Sequence, residues 1–365
     1  MKIQCAREKI KNAVSFADRI TNKNMSLPIL GSILLSAEKN TLKIRATNLD
    51  LGIEIKIPTK TEKEGTVAVP GGVLNNFLSN ITDENVSFDV KNDNLCIETK
   101  NNKALIKCYQ SEDFPTLPVI TQGSSFSIPS KKLIDGLRSV WYSASLSDIK
   151  PEIACVCMYT NGKDIVFAAT DSFRLAEKKV LFDEKQEIPF LLIPYKNAIE
   201  IARVIEYAPE NIEILYNKNQ VVFKYESFYI TSRLVDGIFP DYKQIIPKNF
   251  KTEVVVLKHD IINSLKITNL FSDKLNQVVF DVNPAKKTFE VTSKNPDVGE
   301  NNTALYAALT GEPSRLQFNQ KYIMDCFQSI PTESVALQMS GEGKPLVIKG
   351  VGDGSFTYLV MPLNQ

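Results

Sequence analysis

One pattern limits the fold of this chain more than any other: the sequence repeats itself three times, at about a third of its own length. The strand-like run TLKIRATN carries Thr47, DIVFAATD carries Thr170 and KTFEVTSKN carries Thr292, at intervals of 123 and 122 residues in a chain of 365. Further along each unit, ENVSFDV begins at Glu84, ENIEILY at Glu210 and ESVALQM at Glu333. Each is a half-polar alternation that reads as a strand with one buried face. The units also close alike, on Asp113-Phe114-Pro115, on Phe239-Pro240-Asp241 and on Met361-Pro362. A period of this size is too coarse for a solenoid. It predicts three whole domains, 1–121, 122–248 and 249–365, with joints near Ile120–Gly123 and Pro247–Lys251.

Within each unit a short strand leads into a helix. Apolar residues at helical spacing mark it: Ile10, Ala13, Val14 and Ala17 in the first unit, Leu133, Leu137, Val140 and Trp141 after a capping Ser130 in the second, and Ile261, Ile262 and Leu265 in the third. A second helix starts after Pro70, after Pro194 and near Asn319. The remainder reads as about eight strands per unit. The fold class is therefore α+β, with helices covering one sheet face.

Catalytic chemistry is absent from the pattern. A single histidine, His259, excludes metal sites built from several imidazoles. It stands beside Asp260 at a helix start, where the other units carry Arg7 and Lys131, so it reads as a surface residue and not as a base. The six cysteines form no C-x-x-C pair, and Cys155 and Cys157 alternate along one strand face, which predicts buried free thiols in a reducing cytoplasm. No phosphate loop is present; GEGKP from Gly341 and GVGDG from Gly350 lack a following helix and read as hairpin turns. Asp241 in FPDY reads as a turn residue. The N-terminal run MKIQCAREKIKN has no apolar core segment, so neither a signal peptide nor a membrane span is expected there. Forty-three Lys+Arg balance forty-two Asp+Glu, so a nucleic-acid role would have to rest on local charge. Neither cofactor nor metal is expected. Three copies of one fold without a catalytic set predict a scaffold whose function is its shape.

Four strings, in order, carry a resemblance: LPILGSILL at 27–35, ATDSFRLA at 169–176, SRLVDGIFPDYKQIIPKN at 232–249 and TYLVMPL at 357–363. Within the threefold repeat they resemble the bacterial sliding clamp, the beta subunit of the replicative DNA polymerase, from end to end. The resemblance implies three DNA-clamp domains per chain and a homodimeric ring, with helices on its inner face and antiparallel sheets outside. Duplex DNA would pass through without sequence readout, and the ring would lend processivity to the polymerase. Helix widths agree. Six helices at about 10 Å each give an axis radius of only about 10 Å, whereas twelve give about 19 Å and a clear width of roughly 28 Å for a duplex about 20 Å across.

By the same resemblance, basic residues on the helices should face DNA: Arg7, Lys9 and Lys11, then Lys131, Lys132 and Arg138, Lys196 and Arg203, and Lys258, Lys266 and Lys321, with Lys23 in a DNA-contacting loop. A peptide groove should be built from Thr170, Ser172, Phe173, Arg174 and Leu175, from Pro240, Gln244 and Ile245, and from Leu359, Val360, Met361, Pro362 and Leu363. It would take short segments with Leu and Phe anchors from the replicative polymerase, the clamp loader, and other polymerases and repair proteins. Ser172 replaces a glycine seen in part of the family, Phe173 takes a position often held by histidine, and Gln244 stands where many members have arginine. Asn364-Gln365 lack a terminal basic residue that some have. The subunit contact is expected between the first domain's edge strand, at Ala104 and Ile106, and the third domain's helix end, at Leu270 and Phe271.

Overall fold

The computed structural model describes residues 1–21, 27–182, 187–208 and 210–363. The first repeat runs β1 (Lys2–Ala6), α1 (Arg7–Ile20), β2 (Ser32–Glu38), β3 (Thr41–Thr47), β4 (Leu51–Pro58), β5 (Lys60–Lys63), β6 (Gly65–Pro70), α2 (Gly71–Asn80), β7 (Asn85–Lys91), β8 (Asn94–Glu98) and β9 (Lys103–Lys107). The second runs β10 (Ser124–Pro129), α3 (Ser130–Val140), β11 (Cys155–Asn161), β12 (Asp164–Thr170), β13 (Arg174–Leu181), β14 (Leu191–Pro194), α4 (Tyr195–Ile205), β15 (Asn211–Tyr216), β16 (Gln220–Tyr225) and β17 (Phe228–Arg233). The third comprises β18 (Thr252–Leu257), α5 (Lys258–Asn269), β19 (Gln277–Asn283), β20 (Thr288–Asn295), β21 (Gly299–Ala304), β22 (Ala307–Gly311), β23 (Ser314–Asn319), α6 (Gln320–Cys326), β24 (Ser334–Met339), β25 (Leu346–Gly350) and β26 (Phe356–Val360).

Helix formation follows the apolar spacing. In α1 the buried residues are Ile10, Ala13, Val14, Ala17 and Ile20, one stripe at a spacing of three and four. Asn319 caps α6 by accepting from the amides of Lys321 and Tyr322. Trp141 falls just beyond α3, in a 3-10 turn, and so leaves the stripe that Leu133, Leu137 and Val140 continue. The glycine clusters are hairpin turns, with Gly341, Gly343 and Gly352 at positive φ.

The strands are arranged differently from one sheet per repeat. Each repeat splits its strands between two sheets, and the second half of each later repeat merges with the first half of the repeat before it. The chain accordingly forms two compact units, residues 1–131 with 196–234 and residues 132–195 with 235–365. The first unit holds an eight-stranded sheet, β10-β15-β16-β17-β4-β3-β2-β6, and a five-stranded sheet, β5-β1-β7-β8-β9. The second holds a nine-stranded sheet, β14-β11-β12-β13-β26-β25-β24-β18-β22, and a four-stranded sheet, β21-β20-β19-β23. The joints are antiparallel: Ser232 pairs with Leu51 where β17 meets β4, and Val360 pairs with Arg174 where β26 meets β13. An edge strand is an unpaired row of amides and carbonyls, and merging half-sheets removes two such edges at each joint.

Burial in the large sheet of the second unit departs from simple alternation. β11, β12 and β26 are buried on both faces over most of their length. One face is covered by the segment following β17: Phe239 and Tyr242 pack with Cys155, Cys157, Leu175, Leu192 and Leu359, flanked by Val235, Ile246 and Phe250. Cys155 and Cys157 do share a strand face and are free thiols, buried against this segment. On the other face α3 approaches β12 so closely that a Cβ at Gly136 would run into the ring of Phe167. Alanine normally favours a helix by about 1 kcal/mol over glycine, but the overpacking here is worth more. Gly136→Ala should therefore lower stability by about 1–3 kcal/mol. An unchanged or raised urea midpoint for the variant would count against this packing.

Candidate functional site

The residues from Thr170 to Arg174 close a turn that side chains hold. The Thr170 hydroxyl donates to the Arg174 carbonyl (2.7 Å) and accepts from the Ser172 amide (3.2 Å). The Asp171 carboxylate accepts from the amides of Phe173 (3.0 Å) and Arg174 (2.9 Å). This geometry places Ser172 at φ 77°, the left-handed region that glycine enters without cost. The first repeat has the same turn: Thr47 and Asn48 make the corresponding bonds, and Leu49 stands at φ 79°.

Arg174 does not project from this turn. Its side chain is 9 % exposed, with Nε on Asp171 (2.9 Å) and Nη1 on Asp325 of α6 (2.6 Å). The guanidinium carbon lies 4.4 Å from the ring centroid of Tyr322. Arg174 thus fastens the turn to α6. The ladder between β13 and β26 then continues into the tail, where the Met361 amide donates to the Phe173 carbonyl (2.8 Å) and the Leu363 amide to the Gln317 carbonyl (2.8 Å).

The groove residues expected from the sequence separate into two sets. Thr170, Leu175, Leu359 and Val360 are buried, and Leu175 and Leu359 belong to the core beneath the segment of Phe239 and Tyr242. Phe173 (62 % exposed) and Ile245 (51 %) stand out, Pro240 and Gln244 are exposed, and Met361, Pro362 and Leu363 are half-buried. Gln244 donates to Asp241 (2.6 Å).

Sequence reasoning missed the polar support under this segment. Tyr242 donates to the buried carboxylate of Glu177 (2.6 Å) and its hydroxyl meets that of Tyr159 (2.8 Å). Burial pushes the Tyr159 phenol up to about 12, and burial beside the Glu177 carboxylate pushes Tyr242 higher. The segment is thereby pinned to β11 and β13. Glu177 sits among Arg174, Lys178 and Lys179 in RLAEKKVL, so nothing local in the sequence marked its carboxylate as buried. Beside this network lies a cavity of about 410 Å³, lined by Tyr159, Phe190 and residues 237–243. Asp325 and Tyr322 were missed as well, because only the fold brings α6 to the turn.

The remaining sites are dispersed. Arg7 and Lys11 lie on α1, where both face Glu8; Lys131 and Arg138 lie on α3; Lys196 and Arg203 lie on α4, with Arg203 paired to Glu200; and Lys266 lies on α5. Lys23 and Asn364 fall outside the described residues. Ala104 and Ile106 lie on β9, the last strand of its sheet, with Ile106 turned into the core and Leu105 62 % exposed. Leu270 (70 % exposed) and Phe271 follow α5, and Phe271 lies against Gly299 at the start of β21. The His259 side chain is 81 % exposed and meets only Asp260 and Asn263 among the described residues.

Comparison with known proteins agrees with this architecture along the whole chain. Models of the DNA polymerase III beta subunit match in order, the N-terminal domain at residues 1–118, the central domain at 127–241 and the C-terminal domain at 243–364. The chain belongs to the DNA polymerase III beta subunit family. A beta sliding clamp of Synechocystis sp. is 26 % identical, with 100 % of this chain and 99 % of that protein covered. Among solved structures, the beta subunit of Thermotoga maritima superimposes at a TM-score of 0.94 with 24 % identity, and the sliding clamp of Bacillus subtilis at 0.93 with 23 %. Each covers 100 % of this chain and 99 % of the other. The fold is thus the three-domain clamp fold. At the clamp turn, relieving the left-handed strain should be measurable: Ser172→Gly is expected to match or exceed the parent by up to about 1 kcal/mol, and Ser172→Val to lose about 1–2 kcal/mol. Equal urea midpoints for glycine and valine would contradict the assigned turn.

Proposed function

We propose that two copies of the chain close head to tail into a ring around duplex DNA, and that this ring tethers the replicative polymerase. Sliding-clamp function in replication follows from family membership, and clamps of this family are processivity factors, generally without catalysis of their own. The observation that carries the ring is the repeated sheet joint. In chain order, β9, β17 and β26 are the equivalent last strands of the three repeats, and β4, β13 and β21 are the strands that follow the equivalent threonines. β17 pairs with β4 and β26 with β13, which leaves β9 and β21 as the one equivalent pair unmade within the chain. A second copy supplies it.

The register can be carried over as well. Ser232 and Val360 correspond to Ile106 through their hairpins, and Leu51 and Arg174 correspond to Asn301. Ile106 would then oppose Asn301 with both side chains inward, Leu105 would oppose Asn302 with both outward, and Lys107 would meet Glu300. A one-residue slip would put every inward side chain on the wrong face. This moves the proposed contact from the helix end alone to the β21 edge, with Leu270 and Phe271 beside it.

The repeat period's limits, 1–121, 122–248 and 249–365, are proposed as domain limits; the family matches meet near the first of them and, at 241/243, a few residues before the second. Partner proteins would dock short Leu/Phe segments on Phe173, Pro240, Ile245 and Met361–Leu363. The helix-borne cations Arg7, Lys11, Lys131, Arg138, Lys196, Arg203 and Lys266 would face DNA. Several already share a carboxylate, and net charge is only +1, which suits a ring that slides without gripping phosphate. No described helix is long and apolar enough to cross a membrane, and a cytoplasmic location is proposed.

A cross-link at the proposed joint tests ring and function together. With Leu105→Cys and Asn302→Cys in one chain, oxidation should produce a covalently closed dimer that stays on nicked circular DNA and is lost when that DNA is linearised. A protein that remains monomeric, or that is retained equally on linear DNA, would refute the ring.

A further inference from the structure

We infer that the cavity beside residues 237–243 is a cation-binding box, and that its ligand is an arginine side chain of the peptide docked in the adjoining groove; this rests on the groove reading above. The cavity, about 410 Å³, has aromatic walls. Tyr159 and Phe190 stack at 4.4 Å between centroids with 17° between planes, and Phe239 meets Tyr242 edge-on at 5.9 Å. Aromatic faces carry the negative part of the ring quadrupole and attract cations. A carboxylate, Asp241, stands in the lining.

A cation already uses the box. The ammonium of Lys243 lies 5.3 Å from the Tyr159 centroid, and among the described residues it forms no ion pair with a carboxylate. Tyr159 is 4 % exposed, with Phe190 stacked on its ring and the Lys243 ammonium beside it. Lys243 is itself exposed on the loop, so it is a resident that a better ligand can displace. A guanidinium is better suited on two counts. It is planar and stacks on rings such as Phe190, and its fork can pair with a carboxylate such as Asp241. Pro240 lines the cavity and is also one of the proposed groove residues, so the box adjoins the groove.

The test uses the full chain and three fluorescent peptides: a Gln-Leu-x-Leu-Phe core, the core extended by arginine, and the core extended by citrulline, which keeps the shape without the charge. Arginine should tighten binding about three- to tenfold over the core and citrulline should not. The arginine gain should vanish in Phe190→Ala and grow in Lys243→Ala, where the competitor is gone. Equal gains for arginine and citrulline, or a gain that survives Phe190→Ala, would overturn the box while leaving the groove intact. Failure of the core peptide to bind would overturn the groove reading itself, and the box with it.

Discussion

The pairing of edge strands across repeats is the constraint on which the rest of this structure depends. Half-sheets of four or five strands end in unpaired backbone, and exposed edges of that kind invite aggregation. Pairing β17 with β4 and β26 with β13 disposes of two edges at each joint and makes sheets of eight and nine strands. It also fixes where everything else can be. The Thr170–Arg174 turn lies at the end of β12 because β13 must reverse direction to meet β26, and the C-terminal tail lies beside that turn because it continues β26. The same rule leaves β9 and β21 each with one free edge, and these are the edges that the proposed second copy would join.

How far the sequence alone was legible depends on the range of the interaction. The threefold period, the helices and the hairpin turns rest on neighbours within a few residues, so apolar spacing and glycine positions reveal them. Ile10, Ala13, Val14 and Ala17 form a single stripe in the sequence and in the fold. The division of each repeat between two sheets was not legible, because the partner of β4 lies about half the chain away and nothing in LGIEIKIP names it. The continuous burial of β11 and β26 was hidden for the same reason: their second face is covered by a segment from elsewhere.

The groove shows the same limit at higher resolution. Its residues were named through family strings, and the fold then sorted them into support and surface. Leu175 and Leu359 are core, whereas Phe173 and Ile245 are exposed. Arg174 illustrates how residue type can mislead. An arginine in a partner site suggests a contact for the ligand, yet here it is buried between Asp171 and Asp325 and holds the turn in place. Asp325 lies about 150 residues further along the chain, a separation no local pattern bridges.

The two sheet joints within the chain are built to one plan, and their differences indicate what the second joint has been specialised to do. Glu54 and Glu177 occupy equivalent places, and so do Leu117 and Tyr242 in the segments DFPTL and IFPDY. At the first joint Glu54 pairs with Arg45 (2.5 Å), and Leu117 packs over Gly52, where a Cβ would meet it at 2.5 Å. At the second joint the position of Gly52 is taken by Leu175, which fills that space from the strand itself. The segment packs on Leu175 and is tied down as well by the Tyr242 hydroxyl donating to Glu177. Anchoring by a directed hydrogen bond fixes the height and angle of a loop, whereas apolar contact alone lets it slide. The second joint therefore presents Pro240 and Ile245 on a segment of defined position, as the proposed partner surface would require. The first joint's segment is held by Leu117 over Gly52 and, one residue further on, by the Tyr229 hydroxyl donating to the Pro118 carbonyl (2.9 Å), so its tie reaches the backbone beyond the segment and not a side chain within it.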